Sequence, residues 1–216
     1  VERLVCKLAI PSIVSMLVSA FYNMADTFFI GRISTEATAA IGITFSYMAL
    51  VQAIGYFFGH GSGNFISRAM GRKDYQEAEW MASTGFFSAF LFGVLLVIPC
   101  LLFMDPFLRM LGATETVLPD ARHYFSYILI ASPFMSASLV LNNQLRLQGN
   151  AKLGMFGIAS GAFFNIALDP ILIFVVGLGI KGASIATAFS QIVGFTVLLL
   201  LCNKKNSIRI RWSSFK

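Results

Sequence analysis

The sequence predicts an all-α membrane protein, a bundle of six transmembrane helices, and three observations carry that prediction. Six stretches are apolar over about 20 residues each, the length that crosses a hydrocarbon core. Charged residues make up only 12% of the 216, where a soluble domain carries about a quarter, and the mean hydropathy is +0.76. Lys and Arg fall in the connections, concentrated in alternate ones, which is how a multi-pass chain marks its cytoplasmic side.

The first span, 8–30, has Pro11 near its start, where a missing N–H is tolerated. No signal-peptide pattern opens the chain and its first residue is Val, so it reads as a trimmed or partial chain whose first helix directs it to the membrane. The second span, 37–66, is too long for a straight perpendicular crossing and is expected to tilt or project beyond the bilayer. Near its end, Gly59-His60-Gly61-Ser62-Gly63 superficially resembles a phosphate loop. No strand precedes it and no Lys-Ser/Thr follows, so a flexible or closely packed helix end is expected.

The third span is 78–104, and the connection 105–122 mixes charge, Gly and Pro and reads as an extramembrane loop. The fourth, 124–145, begins beside an interfacial His123, should kink at Pro133, and ends on Asn142, Asn143 and Gln144, either a polar cavity wall or a helix-end cap. The fifth is 153–176. The sixth, 183–202, opens on Gly182 and Ala186, a small-xxx-small pair for close helix approach. Residues 1–203 thus form one lobe, and 204–216 a basic tail or linker.

Placing the N-terminus in the cytoplasm puts Arg3, Lys7, Arg68, Arg72, Lys73, Arg146, Lys152, Lys204, Lys205, Arg209, Arg211 and Lys216 inside. Only Arg32, Arg109, Arg122 and Lys181 fall outside, so both termini are expected to be cytoplasmic, in a multi-pass protein of the cell membrane surrounded by lipid. The same scatter argues against nucleic acid as a partner despite the net charge of +6. Cys6, Cys100 and Cys202 form no CxxC pair and read as inert membrane thiols. No Ser/His/Asp set, metal-binding His/Cys spacing or paired soluble carboxylates occur, so nothing supports enzyme chemistry.

Two acids lie inside apolar runs, Asp26 and Asp169, and ionisable groups at membrane depth mark functional sites by default. Asn165 precedes Asp169 by four residues and Tyr22 precedes Asp26 by four, so each pair shares a helix face. Pro170 has no N–H, which removes the intrahelical partner of the Ile166 carbonyl. At about 1.5 Å per residue, Asp26 lies about 7 Å, Asp169 about 12 Å and Thr187 about 8 Å from the outer helix ends. Polar groups of three spans therefore fall in one layer. Structural hydrogen bonding at a helix bend is the alternative for the two acids, and helix–helix glue the alternative for Tyr22, Asn165 and Thr187.

The runs PSIVSMLVSAFYNMADTFFIGR, SRAMGRKDYQEAE, NNQLRLQGN and NIALDP together resemble the multidrug and toxic compound extrusion (MATE) transporters over essentially the whole chain. The resemblance implies the amino-terminal half of a two-lobe, twelve-helix antiporter that exports organic, often cationic, compounds in exchange for H⁺ or Na⁺. It implies that Asp26, Asn165 and Asp169 form the coupling-ion site with Tyr22 and Thr187 in support, and that Asn142 lines the lobe's substrate cavity. It implies no cofactor beyond the coupling ion, and a missing carboxy-terminal lobe as partner. Two other classes stay open: a flippase of lipid-linked precursors, which needs a cationic groove, and a non-transporting membrane module.

Overall fold

The computed structural model describes residues 2–203 together with Ile208 and Ile210, and for residues 2–8 the backbone alone. The expected basic tail at 204–216 therefore lies outside the described residues except at those two isoleucines, as do the side chains of Arg3, Cys6 and Lys7. The chain runs α1 (Glu2–Gly31), α2 (Thr35–Gly71), α3 (Tyr75–Leu102), α4 (Met104–Met110), α5 (Leu118–Leu147), α6 (Ala151–Pro170), a π-helical segment (Ile171–Val175) and α7 (Ile180–Cys202). Six of these crossings are long and apolar enough to span a membrane, with α6 and the π-helical segment counting as one. No strand occurs among the described residues.

Helices outrun the apolar stretches because the membrane limits the apolar run while caps limit the helix. Ser34 starts α2 by accepting the Ala37 N–H at 2.9 Å, and Asp74 starts α3 by accepting the Glu77 N–H at 3.0 Å. Between those caps α2 reaches 37 residues, about 55 Å, which is longer than the expected 37–66 and long enough to extend past a bilayer. The turn into α3 closes on Lys73 at φ 62, with the Asp74 N–H bonding back to the Ala69 carbonyl at 3.0 Å. The connection after α5 repeats that geometry at Gly149, where the Asn150 N–H bonds the Leu145 carbonyl at 2.9 Å.

Three expectations need correction. α1 begins at Glu2, so Pro11 is inside the helix, where its carbonyl accepts the Ser15 hydroxyl at 2.8 Å. The glycine-rich stretch at 59–63 is helix interior, because Gly59 and Gly63 pack directly on Asn143 and Leu147 of α5. The presumed loop 105–122 contains α4 and the first turn of α5. Leu108 of α4 is buried, and Phe107 stacks on Phe125 with ring centroids 5.7 Å apart. Of the two readings of Asn142, Asn143 and Gln144, the cavity wall fits Asn142, which lines a cavity, and all three are buried.

α5 is the centre of the bundle, packed against α2, α3, α6 and α7. Two-thirds of its apolar window is buried, against 17% for α1, which packs mainly on α6. α5 stays continuous through Pro133 because the Ser132 hydroxyl donates to the Leu129 carbonyl that the proline leaves free, at 2.8 Å. Tyr47 in turn donates to Ser132 at 3.0 Å. Large apolar side chains such as Phe57, Phe163 and Val175 cover the outside of the bundle, the surface a lipid-embedded protein presents.

Candidate functional site

α1, α5, α6 and α7 bring polar side chains together near the end of the bundle that carries α4. Asp169 is wholly buried in the last turn of α6, and Asn165 lies one turn before it, also wholly buried. Pro170 ends the α-helix, and the backbone continues as a π-helix in which the Val176 N–H bonds the Ile171 carbonyl at 2.9 Å. α7 lies close against this segment because residue 182 is glycine: a Cβ there would stand 2.6 Å from the Leu172 carbonyl oxygen. That close approach, the structural counterpart of the small-xxx-small pair, brings Thr187 to the acids.

The Asn165 amide nitrogen lies 3.4 Å from Asp169 Oδ1 and 3.4 Å from Thr187 Oγ1. The Tyr124 hydroxyl of α5 lies 3.4 Å from Asp26 Oδ2. Asp26 and Asp169 are near enough for their charges to interact. Asp26 with Tyr124, and Asp169 with Asn165 and Thr187, thus form two adjacent sets of polar contacts drawn from four helices. Tyr22 is half-buried one turn from Asp26 and shares a cavity wall with Gln191.

The contacts are long, since N–H···O bonds cluster near 2.9–3.0 Å. Three oxygens in the cluster, Asp26 Oδ1, Asn165 Oδ1 and Asp169 Oδ2, are buried and accept nothing from the protein. None of the ion pairs among the described residues includes either acid. A buried carboxylate without a cationic side chain is stable only when a proton or a bound cation neutralises it. The set of carboxylate, amide and hydroxyl oxygens is the donor set of a hard cation.

Beside the cluster lies a cavity of about 160 Å³, lined by Tyr22, Asn23, Gln52, Ser138, Asn142 and Gln191 among others. Asn142 belongs to this wall, 4% exposed, with an amide nitrogen that has no protein partner. Of the residues expected from sequence, Asp26, Asn165, Asp169 and Thr187 are gathered into the cluster, Tyr22 stands at its edge, and Asn142 is separate. Tyr124 and Gln191 escaped sequence reasoning. Gln191 was within reach of it: an amide inside an apolar span, four residues beyond Thr187 on one helix face. Tyr124 gives no such signal, because it lies at the boundary of an apolar span.

The MatE family model matches residues 11–171. The multidrug export protein MepA of Staphylococcus haemolyticus (strain JCSC1435) is 30% identical over 199 residues, 92% of this chain and 44% of that protein. MepA of Staphylococcus aureus (strain MRSA252) is 28% identical over 201 residues, covering 93% of this chain and 45% of its own length. The crystal structure of a MATE transporter in its straight conformation superimposes over 100% of this chain and 48% of its own, with a TM-score of 0.91 and 28% identity. The chain spans about half the length of these relatives.

Proposed function

The chain belongs to the MatE family of transporters, and from that premise we propose that it is the ion-coupling lobe of an exporter of small organic, often cationic, compounds. The observation that carries this reading is the convergence of Asp26, Asn165, Asp169 and Thr187 from three helices around buried oxygens without protein partners. H⁺ or Na⁺ is the coupling ion in this reading, bound by those oxygens in place of a cationic side chain.

Both termini face the cytoplasm, and a second six-helix lobe completes the transport path. The two ions compete, since protonated carboxyls lose the charge that holds Na⁺. Ion binding changes the cavity lined by Asn142 only through a difference in affinity between the two states of the lobe. The flippase alternative needs a cationic groove, whereas no Lys or Arg is among the described residues lining the cavity.

The test is calorimetric titration of Na⁺ into the purified chain across pH, repeated with Asp169→Asn. Saturable binding that weakens at low pH and is lost in a folded Asp169→Asn supports the reading. Where Na⁺ gives no heat, a carboxyl band that titrates in the infrared and is altered by Asp169→Asn supports protons as the ion. A folded wild type with neither signal makes the acids structural and sinks the reading.

A further inference from the structure

We propose that the phenylalanine-lined groove between α3 and α7 is a docking site for the segment that follows Ile210, with the indole of Trp212 as its anchor, so that the chain beyond α7 is held along the side of the bundle. This docking is independent of the cation site, and either can fail without the other.

The groove exists because α3 and α7 each pack on α5 and hardly on each other. Its lining includes five phenyl rings, Phe86, Phe87 and Phe90 of α3, Phe134 of α5 and Phe195 of α7, with Leu91 beside them. They enclose a space of about 480 Å³, inside the range of about 300–1,000 Å³ that ligand pockets occupy. No polar side chain is among the described residues of this wall. The rings meet edge to face, with the Phe134 centroid 5.3 Å from that of Phe195 and 5.7 Å from that of Phe90.

Two residues beyond α7 lead toward this groove. Ile208 is buried: its N–H bonds the side-chain oxygen of Gln148 at 3.0 Å, and its side chain joins Ile66, Ala69, Ala78 and Ala82. Ile210 packs against the neighbouring cluster, that of Phe86, Leu145 and Cys202. Phe87, Phe90 and Phe195 pack against the same cluster, so Ile210 and the groove share one apolar surface. Residues 208–212 read Ile-Arg-Ile-Arg-Trp, apolar at every second position, which is the period of an extended chain. At about 3.3 Å per extended residue, Trp212 can reach about 7 Å beyond Ile210, a little over one turn of α3. That step carries the indole from the edge of the cluster into the groove. The same alternation directs Arg209 and Arg211 away from the bundle, where anionic headgroups at the membrane surface can take them.

An acyl chain is the competing occupant. Lipid tails gain little by moving from lipid into an equally apolar groove. Aromatic pairs gain from ring geometry as well as from buried area, and a side chain tethered two residues away has a high effective concentration. Five rings therefore suit an indole of this chain better than a lipid tail.

The chain holds two tryptophans, so Trp80→Phe leaves Trp212 alone as a probe. Its emission and its quenching by aqueous acrylamide are measured on that parent in phosphatidylcholine nanodiscs, with a thermal melt to check each fold. The expected result is blue-shifted emission and weak quenching. Phe87→Ala, which takes one ring from the groove, should shift the emission to the red and raise the quenching constant severalfold. Phe92→Ala, on the same helix but outside the groove, should change neither. Should Phe87→Ala fail to fold, Leu91→Phe narrows the groove instead and should give the same shift. A red-emitting, strongly quenched Trp212 in the parent overturns the proposal and leaves the groove to lipid. A shielded Trp212 that no groove substitution moves overturns it as well, and assigns the indole to the headgroup layer.

Discussion

The lobe holds two buried polar clusters, and they differ in how completely they satisfy themselves. Toward the end opposite α4, Gln144 of α5 donates to Ser62 of α2 at 2.9 Å and to the Ala82 carbonyl of α3 at 3.1 Å. Ser62 donates in turn to the Phe58 carbonyl at 2.6 Å. These are neutral groups at ordinary bond lengths, and they tie α5 to its two neighbours. The carboxylate cluster has contacts of 3.4 Å, two acids, and three oxygens that accept nothing from the protein. Glue between helices closes on itself, whereas a binding site keeps acceptors in reserve. Neutral hydrogen bonds also tolerate low dielectric far better than a pair of carboxylates does.

The comparison breaks most visibly at Asp169. Asp169→Asn should lower cation affinity on the order of 100-fold or more, about 2.7 kcal/mol, with little change in melting temperature. Calorimetry beside a thermal melt reads both, and a large stability loss at unchanged affinity would put the two clusters in one class. Gln144→Leu should show the reverse pattern. Removing that amide from α2 and α3 is expected to destabilise the folded chain by about 1 kcal/mol while ion affinity stays at the wild-type value.

Thr187→Val sharpens the contrast inside the carboxylate cluster. The substitution keeps the shape and deletes one partner of the Asn165 amide, so affinity should fall about threefold to fivefold. Calorimetric affinities for the two chains decide it, with a thermal melt to check that both are folded. At the smallest end, Arg109→Ala removes an exposed ion pair to Glu115 that touches neither cluster. Melting temperature and ion affinity should both stay unchanged, because exposed pairs contribute little.

The expectations that survived depended on local composition. An apolar run of membrane length becomes a helix wherever it lies, because lipid leaves the backbone no other way to satisfy its N–H and C=O groups. Six spans and their order were accordingly legible from the residues alone. Helix ends were less so, since Ser34 and Asp74 are caps only when the next three residues turn helical. The loop expected at 105–122 hid α4 because its support comes from elsewhere in the chain: Leu108 is buried and Phe107 packs against Tyr47 and Phe125.

What the sequence by itself determined is thus the class of protein, its crossings, and the positions along each helix where a polar group is expensive. Only the tertiary structure decided which of those groups meet. Register places Tyr22 and Asp26 on one face of α1, but the rotation of α1 against α6 and α7 is set by packing between helices. A single close approach at Gly182 seats α7 against the π-helical segment and aims Thr187 at Asn165. Tyr124 acquires Asp26 in the same way, from a helix far away in the chain. Helix periodicity is a property of neighbours in sequence; a cluster belongs to neighbours in space.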